Sequence, residues 1–542
     1  MPPTAPTESL SLVERALDGL KRPALVLTDA DLALDIEGVT VARLGTPVSE
    51  PPSGSVLLAV GDLATLRAAV ADLPALGRAR MVGVVLAEAT GLLPLRVRPT
   101  WPPLQDLDAR SEDGAAVTVA RFASRLDVAD VLTAIAYADG LPGHGGLVVG
   151  RDYDPDDKVP TDVLVREIPA EESPVLGRSP RVVSDPGPAP LDETLFNPIG
   201  FRREWTRGVV DLDPSWTATP RLVDSLRDAQ GVRTSASADE RVAAALAMSG
   251  VPLVTGDHDA QSNLVDPLRR EEHSVRQRRA ALTEHSTIAW RLRLAERAGV
   301  RAAAYPSVSI LLPTRRPELL GFALRQVAKQ RVTLPGAEVE LVLAAHGFAP
   351  DPAVVREALG DLPHTILTVP GHTVFGEVLR AATDAAGGDV VLKMDDDDWY
   401  GPDVVTDLLL ARRYSRAELV GMPAEMVYLE PIRTTVRRRG PSENYGEVVA
   451  GGTMLIDRSQ LREIGGFRPV PRHVDARLLE DVRAAGGGVY RTHGLGYLLR
   501  RTASGHTWDP GLDYFLDRRT VTAQWSGFRP STLLEFDESE VP

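Results

Sequence analysis

The stretch Lys393-Met394-Asp395-Asp396-Asp397-Asp398-Trp399-Tyr400 carries four carboxylates in succession. They repel one another, so positive charge has to sit among them if they are held close. Hard divalent ions take oxygen ligands, and Mg²⁺ or Mn²⁺ in such a setting commonly carries substrate phosphates as well. The run follows Asp389-Val390-Val391-Leu392, which reads as a buried strand, and leads into an aromatic pair. Those flanks favour a site at a strand end over an acidic loop open to water, the other reading of a charge run.

Other residues able to do chemistry surround this run in sequence. Pro313-Thr314-Arg315-Arg316 closes one apolar stretch, and Ala345-His346-Gly347-Phe348 closes another. Gly451-Gly452-Thr453 offers two positions without a side chain, where backbone can approach a substrate closely; a tight turn before a strand is the alternative. A reaction at a hydroxyl needs a base, usually a carboxylate, and Asp475 and the pair Glu480-Asp481 are the candidates. Arg500 or Arg501 could hold diphosphate oxygens. His506, in Gly505-His506-Thr507-Trp508, could complete a metal site as a neutral imidazole, whereas His493 reads as structural.

These groups need a frame. A buried strand is expected over residues 308–315, a helix over 317–329 and a second strand over 338–344. A helix over 375–386 then precedes the strand that delivers the acidic run. This is a βαβ nucleotide-binding half-fold, with candidate ligand groups at the carboxyl ends of its strands.

Together the residues resemble family 2 glycosyltransferases, enzymes of GT-A fold, over about residues 306–510. The carriers are Pro313-Thr314-Arg315-Arg316, the Asp-x-Asp element within Asp395–Asp398, Gly451-Gly452-Thr453 before Met454-Leu455-Ile456, Glu463-Ile464-Gly465-Gly466-Phe467, and Asp475 opening a helix toward Gly486-Gly487. The resemblance implies an inverting, metal-dependent transfer from a nucleotide-sugar donor to an acceptor hydroxyl. It assigns Asp395, Asp397 and His506 to Mn²⁺ or Mg²⁺. It gives Pro313, Thr314, Arg315, His346, Asp395, Asp396, Gly452 and Arg501 to the donor, and places Asp475, in preference to Asp481, as the base. Two positions depart from the family pattern. Val474 stands where a Glu usually precedes the base. Ala345-His346 stands where paired aspartates usually read the nucleotide, which leaves the nucleotide open. A glycan, a lipid-linked molecule and a small molecule all remain as acceptors, with cell-envelope polysaccharide among the products.

Two rival functions are weighed against this one. A nucleotidyltransferase would need a glycine- and lysine-rich loop after the first strand, which Thr314-Arg315-Arg316-Pro317 is not. A non-catalytic scaffold on a degenerate transferase domain draws support from Ala345-His346.

The chain of 542 residues is too long for one core, so an α/β architecture of several domains is expected. Residues 1–150 alternate strands (24–28, 55–60, 81–86) with helices (63–73, 128–137) as a Rossmann-like α/β domain of unknown role. His144, in a glycine-rich stretch, reads as a surface loop. Residues 151–195 are Pro- and Asp-rich and read as a linker. Residues 196–300 read as an α/β half-domain ending in a charged amphipathic helix over 273–301, with His273 and His285 structural. Residues 239–254 bear a short resemblance to the C-terminal half of GT-B glycosyltransferases, which would bring Glu240 to a nucleotide ribose; a plain αβ unit explains them equally. The GT-A domain with a C-terminal extension fills 301–542.

A formal net charge of −15 disfavours a general nucleic-acid binder. The absence of cysteine excludes disulfides, thiolate chemistry and cysteine-bound zinc. With no signal peptide and no apolar run of membrane-spanning length, a cytoplasmic location is expected. Peripheral membrane association through a partner or a lipid-linked acceptor stays open.

Overall fold

Val308–Thr314 is buried along its whole length, as a parallel strand covered on both faces must be. It is a central strand of an eight-stranded sheet. Val339–His346 and then His364–Val369 lie parallel to it on one side, and Val390–Lys393 lies parallel on the other. The chain thus reverses its direction of travel across the sheet between Val308–Thr314 and Val390–Lys393. In open α/β sheets that reversal opens a crevice at the carboxyl ends of the strands. The sheet continues through Leu455–Asp457, antiparallel to Val390–Lys393, then Leu419–Gly421, Val489–Arg491 and Asn444–Tyr445. Helices Leu320–Ala328, Phe375–Ala385 and Val474–Ala484 bury apolar faces. A five-stranded sheet stands beside it, ordered Trp399–Tyr400, Tyr497–Arg501, Met426–Leu429, Thr434–Arg438, Val521–Ser526. Trp399 leaves the acidic run for the core of this sheet, packed edge-on against Phe322 and Tyr428.

The computed structural model describes residues 13–136 with short interruptions, 149–150, 163–165 and 181–183, 187–255 except 236–238, 264–298, and 305–537 except 503–509. The fold is mixed α/β throughout. By contacts the chain divides into two units: residues 1–189 with 291–304, and residues 190–290 with 305–542. The second unit therefore includes most of the stretch that reads from sequence as a separate half-domain.

In the first unit, six strands run in the order Val39–Arg43, Ala24–Thr28, Ser55–Val60, Arg78–Leu86, Ala115–Asp127, Leu104–Glu112. The first four are parallel and the last two antiparallel. Helices Leu63–Ala71 and Val128–Ala136 pack near this sheet, and buried leucines and valines fill its core. The strand Leu104–Glu112 has no apolar run to announce it; it forms by pairing with the longer Ala115–Asp127. Short parallel strands Val149–Gly150, Val163–Val165 and Arg181–Val183 lie partly within the expected linker. His144 lies outside the described residues.

In the second unit, Arg207–Asp211, Ala229–Thr234 and Leu253–Thr255 make a three-stranded parallel sheet. The charged helix expected over 273–301 is two helices, Pro267–His285 and Thr287–Arg297, broken at Ser286, whose backbone is extended and bridges to Leu191. The first of these helices buries Arg270, Glu271, Glu272 and Arg278. Each buried charge meets at least one partner, although Arg278 Nη1 has no hydrogen-bond partner of its own. Arg270 donates to the carbonyls of Arg202, Ala229 and Gln230 at 2.8–2.9 Å. Glu271 meets Arg203 and Arg437, Arg278 meets Glu443, and Arg279 grips Asp403 and Asp407. Glu272 accepts from Ser531 Oγ and from Thr532. His273 Nε2 lies 2.7 Å from the Leu253 carbonyl, a structural contact.

Candidate active site

At the topological reversal the acidic run folds inward. Asp396, Asp397 and Asp398 are only 4%, 7% and 1% exposed, which rules out the open acidic loop. Each is held by a different partner. Asp396 accepts from Thr314 Oγ1 at 2.5 Å and from the Arg316 guanidinium. Arg316 also donates to Asp397 at 2.9 Å. Asp398 accepts from Tyr497 Oη at 2.5 Å and from the Arg500 amide at 2.8 Å. Asp395 keeps its carboxylate partly open to the cleft, and its amide donates to Tyr400 Oη at 2.7 Å.

The positive charge that four aspartates require comes in part from the chain itself. Lys393, 2% exposed, reaches Asp395 Oδ1 at 2.6 Å, the Gly451 carbonyl at 3.2 Å and Asp475 Oδ1 at 3.3 Å. Burial works against that ammonium, and Asp395 and Asp475 together raise its pKa above the ordinary lysine value. On the carboxylates burial wins: Asp396 and Asp397 sit above the usual range although Arg316 pulls them down, and Asp398 is pushed far up with Asp397 and Asp395 adding to the effect.

Asp475 lies in the first turn of Val474–Ala484, whose preceding residue His473 adopts φ +61°. Burial and then the charge of Asp395 raise its pKa, with Lys393 opposing. Gly451 and Gly452 pass directly over the acids. A Cβ on Gly451 would lie 2.1 Å from Asp475 Oδ2, and one on Gly452 would lie 2.5 Å from Tyr400 Oη and 2.9 Å from Asp395 Oδ2. The close approach at these glycines is thus to the acidic side chains themselves. The competing base pair points elsewhere: Asp481 pairs with Arg468 and Glu480 with Arg477.

One cleft of about 1070 Å³ is lined by Pro313, Thr314, Arg315, His346, Asp395–Asp398, Gly451, Asp475 and Arg501. Gly452 touches it through Asp395. Arg315 donates to the Gly371 carbonyl at 2.8 Å. His346 is 3% exposed, and neither ring nitrogen has a close hydrogen-bond partner. Burial, then the charge of Arg315, lowers its pKa, so the neutral imidazole is favoured. Arg501, 5% exposed, stacks its guanidinium 5.2 Å from the Phe515 ring centre. His506 lies outside the described residues. His493 is buried with Nε2 3.0 Å from Asp407, a structural contact. Glu240 is exposed in the first turn of Glu240–Met248, away from the cleft lining.

Sequence reasoning passed over Lys393 and the double grip of Arg316. The signal for Lys393 was present: a lone charge at the end of an otherwise apolar strand, two residues before a carboxylate.

No family profile and no curated protein matches the chain. Solved structures match it in part. They include the mannosyltransferase PcManGT from Pyrobaculum calidifontis in complex with GDP-Man and Mn²⁺ (17% identity, 40% of this chain and 61% of that one, TM-score 0.29). TarS 1-349 from S. aureus in complex with UDP-GlcNAc matches at 16% identity, over 37% of this chain and 60% of that one, TM-score 0.30. GalNAc-T7 with UDP, GalNAc and Mn²⁺ matches at 13% identity, over 39% and 47%, TM-score 0.30. These neighbours are glycosyltransferases, and the chain spans less than two thirds of each.

Proposed function

We propose that the cleft transfers a sugar from a nucleotide-sugar donor to an acceptor hydroxyl, with inversion at the anomeric carbon and with Mn²⁺ or Mg²⁺ as cofactor. The observation that carries this reading is the arrangement around Lys393. A carboxylate suited to a metal-diphosphate and a carboxylate suited to a base lie 2.6 and 3.3 Å from one buried ammonium, at the sheet's reversal point.

In this reading Asp475 takes the proton of the acceptor hydroxyl as that oxygen attacks the anomeric carbon opposite the departing diphosphate. Its raised pKa makes it a stronger proton acceptor than an exposed carboxylate. Thr314, Arg315 and Asp396 order the donor end of the cleft, His346 offers a neutral imidazole to the nucleotide, and Arg501 lines the same cleft. Asp395 and Asp397 would hold the cation. The residues fit it: both are hard oxygen donors, the charge of Asp395 adds to burial in raising the Asp397 pKa, and one or two carboxylates completed by phosphate and water is the usual protein share of an Mg²⁺ site. Among the described residues no larger group of His, Cys, Asp or Glu gathers at one point. Bound there, the cation would neutralise charge growing on the leaving diphosphate. Among the described residues no helix is long and apolar enough to cross a membrane. We read the protein as cytoplasmic and its product as a glycan, with cell-envelope polysaccharide the leading class.

Release of nucleoside diphosphate from a panel of nucleotide sugars with Mn²⁺ tests the reading. One donor should turn over, Asp475→Asn should lower the rate by roughly 10²–10⁴-fold, and Asp397→Asn should abolish Mn²⁺-dependent donor binding in calorimetry. Silence across the whole panel would leave the scaffold reading standing. Full turnover in Asp475→Asn would place the base elsewhere.

A further inference from the structure

We infer that Arg316 is an exchangeable counter-ion: its guanidinium holds Asp397 until a divalent cation arrives, yields that carboxylate to the cation, and so sets how tightly the metal binds. This rests on the metal assignment proposed above. Among the described residues, two side chains bring positive charge onto the acidic run by ion pairing, Lys393 and Arg316. They are held differently. Lys393 is 2% exposed, and its ammonium is shared among Asp395, the Gly451 carbonyl and Asp475, so it belongs to the floor of the site. The Arg316 side chain is 28% exposed and lines the cleft. Its backbone is anchored, since the amide donates to Thr314 Oγ1 at 3.1 Å at the turn into Pro317–Leu319. A partly open side chain on an anchored backbone can change partners by its own rotation alone.

The grip of the guanidinium is unequal. Two arms, Nε at 3.2 Å and Nη2, go to Asp396, whose carboxylate also accepts from Thr314 Oγ1 at 2.5 Å. One arm, Nη1, goes to Asp397 at 2.9 Å. The fork on Asp396 is therefore the anchor, and Nη1 is the arm that a single broken hydrogen bond releases.

Asp397 is also one of the two carboxylates assigned to the cation. A guanidinium spreads one charge over a plane, whereas a divalent ion concentrates two and draws phosphate and water oxygens to complete its shell. Both seek the charge of the same carboxylate, so the arm and the ion compete. The contact thus keeps the affinity for a bare cation low. It favours an ion that comes with phosphates, whose oxygens offer the released N–H a new acceptor. An arginine that stayed in place and only oriented Asp397 for the ion would act with the opposite sign, since its loss would weaken metal binding.

Calorimetric titration of Mn²⁺ into the full-length protein, without nucleotide, tests this. Arg316→Gln should bind Mn²⁺ about tenfold or more tighter than the wild type. Arg315→Gln removes the neighbouring charge, which donates to the Gly371 carbonyl instead. Its Mn²⁺ affinity should stay near that of the wild type, which ties the gain to the arm on Asp397 and not to net charge. Arg316→Lys keeps a cation for Asp396 but has no fork to span both carboxylates. It should move the affinity in the same direction by less, and it carries the test if the glutamine variant does not fold. With UDP or GDP present, the added gain in Mn²⁺ affinity should be smaller in Arg316→Gln than in the wild type. Mn²⁺ affinity unchanged or lowered in Arg316→Gln, or raised equally in Arg315→Gln, would overturn the exchange and leave the metal assignment standing. Mn²⁺ bound by neither the wild type nor any variant would overturn the metal assignment and the exchange with it. Binding seen only in the Arg316 variants is the expected result in its strongest form.

Discussion

Removing the Lys393 ammonium would act on two carboxylates at once. Lys393 lowers the pKa of Asp475 against burial and the charge of Asp395. Without it Asp475 holds its proton to higher pH, and a protonated carboxyl cannot serve as base. In Lys393→Met the acid limb of the kcat/KM profile should therefore move to higher pH, whereas a purely structural loss would lower the whole profile without moving it. Gly451→Ala makes a separate test. Its Cβ would fall 2.1 Å from Asp475 Oδ2, so either the carboxylate or the backbone must move. The variant should lose about 1–3 kcal/mol in urea unfolding, and its kcat should fall more than its affinity for donor. The acids of this site were legible because four aspartates at a strand end have few uses. The cations that hold them were not, because Lys393 and Arg316 declare themselves only when the sheet sets Val308–Thr314 beside Val390–Lys393.

At the scale of elements, the helix Pro267–His285 departs furthest from expectation. The sequence reads as one charged amphipathic helix over 273–301; the structure starts it at Pro267 and buries Arg270, Glu271, Glu272 and Arg278. Periodicity detects apolar stripes and has no way to register charges whose partners lie 40 to 260 residues away. Arg279 shows what is at stake. It donates to Asp407 at 2.7 and 2.8 Å, and His493 meets the same carboxylate at 3.0 Å. Arg279→Met leaves a buried aspartate without its guanidinium and should cost about 3–5 kcal/mol, read as a fall in the urea midpoint. The double variant Arg279→Met with Asp407→Leu should recover much of that loss, since a matched apolar pair leaves no orphan charge. The strands expected at 308–315, 338–344 and 389–392 and the helix expected at 375–386 were legible within a residue or two, because a buried parallel sheet needs continuous apolar runs; His364–Val369 and the strands of the five-stranded sheet were not expected. The paired strands of the first unit, Leu104–Glu112 above all, were not, since their hydrogen bonds rather than their side chains hold them.

For the molecule as a whole, the carboxylates fall into two opposed sets. Asp396, Asp397, Asp398 and Asp475 hold protons more tightly than ordinary carboxylates, chiefly through burial. They bind more protons folded than unfolded, so they cost stability at neutral pH and return it as pH falls toward their folded values. Asp407 is held below its ordinary value: burial opposes this, but Arg279 and His493 prevail. Its contribution is present above about pH 4 and is lost as pH falls through its folded value. Without divalent ions the thermal midpoint should rise on moderate acidification and then drop in strong acid. Asp398→Asn should flatten the rise, and calorimetry across pH checks both limbs.

Residues 190–290 and 305–542 share one contact unit, although residues 291–304 between them belong to the other. Glu425, Arg437, Glu443 and Asp407 look for their counter-charges to Arg203, Glu271, Arg278 and Arg279. A recombination event that lifted residues 305–542 into a new protein would import buried charges stripped of part of their partners, Asp407 keeping only His493 and Glu425 only Arg437. The stretch that carries the cleft is therefore not a portable module: what can be inherited intact is the pair of stretches together, with the intervening fourteen positions free to serve another part of the chain.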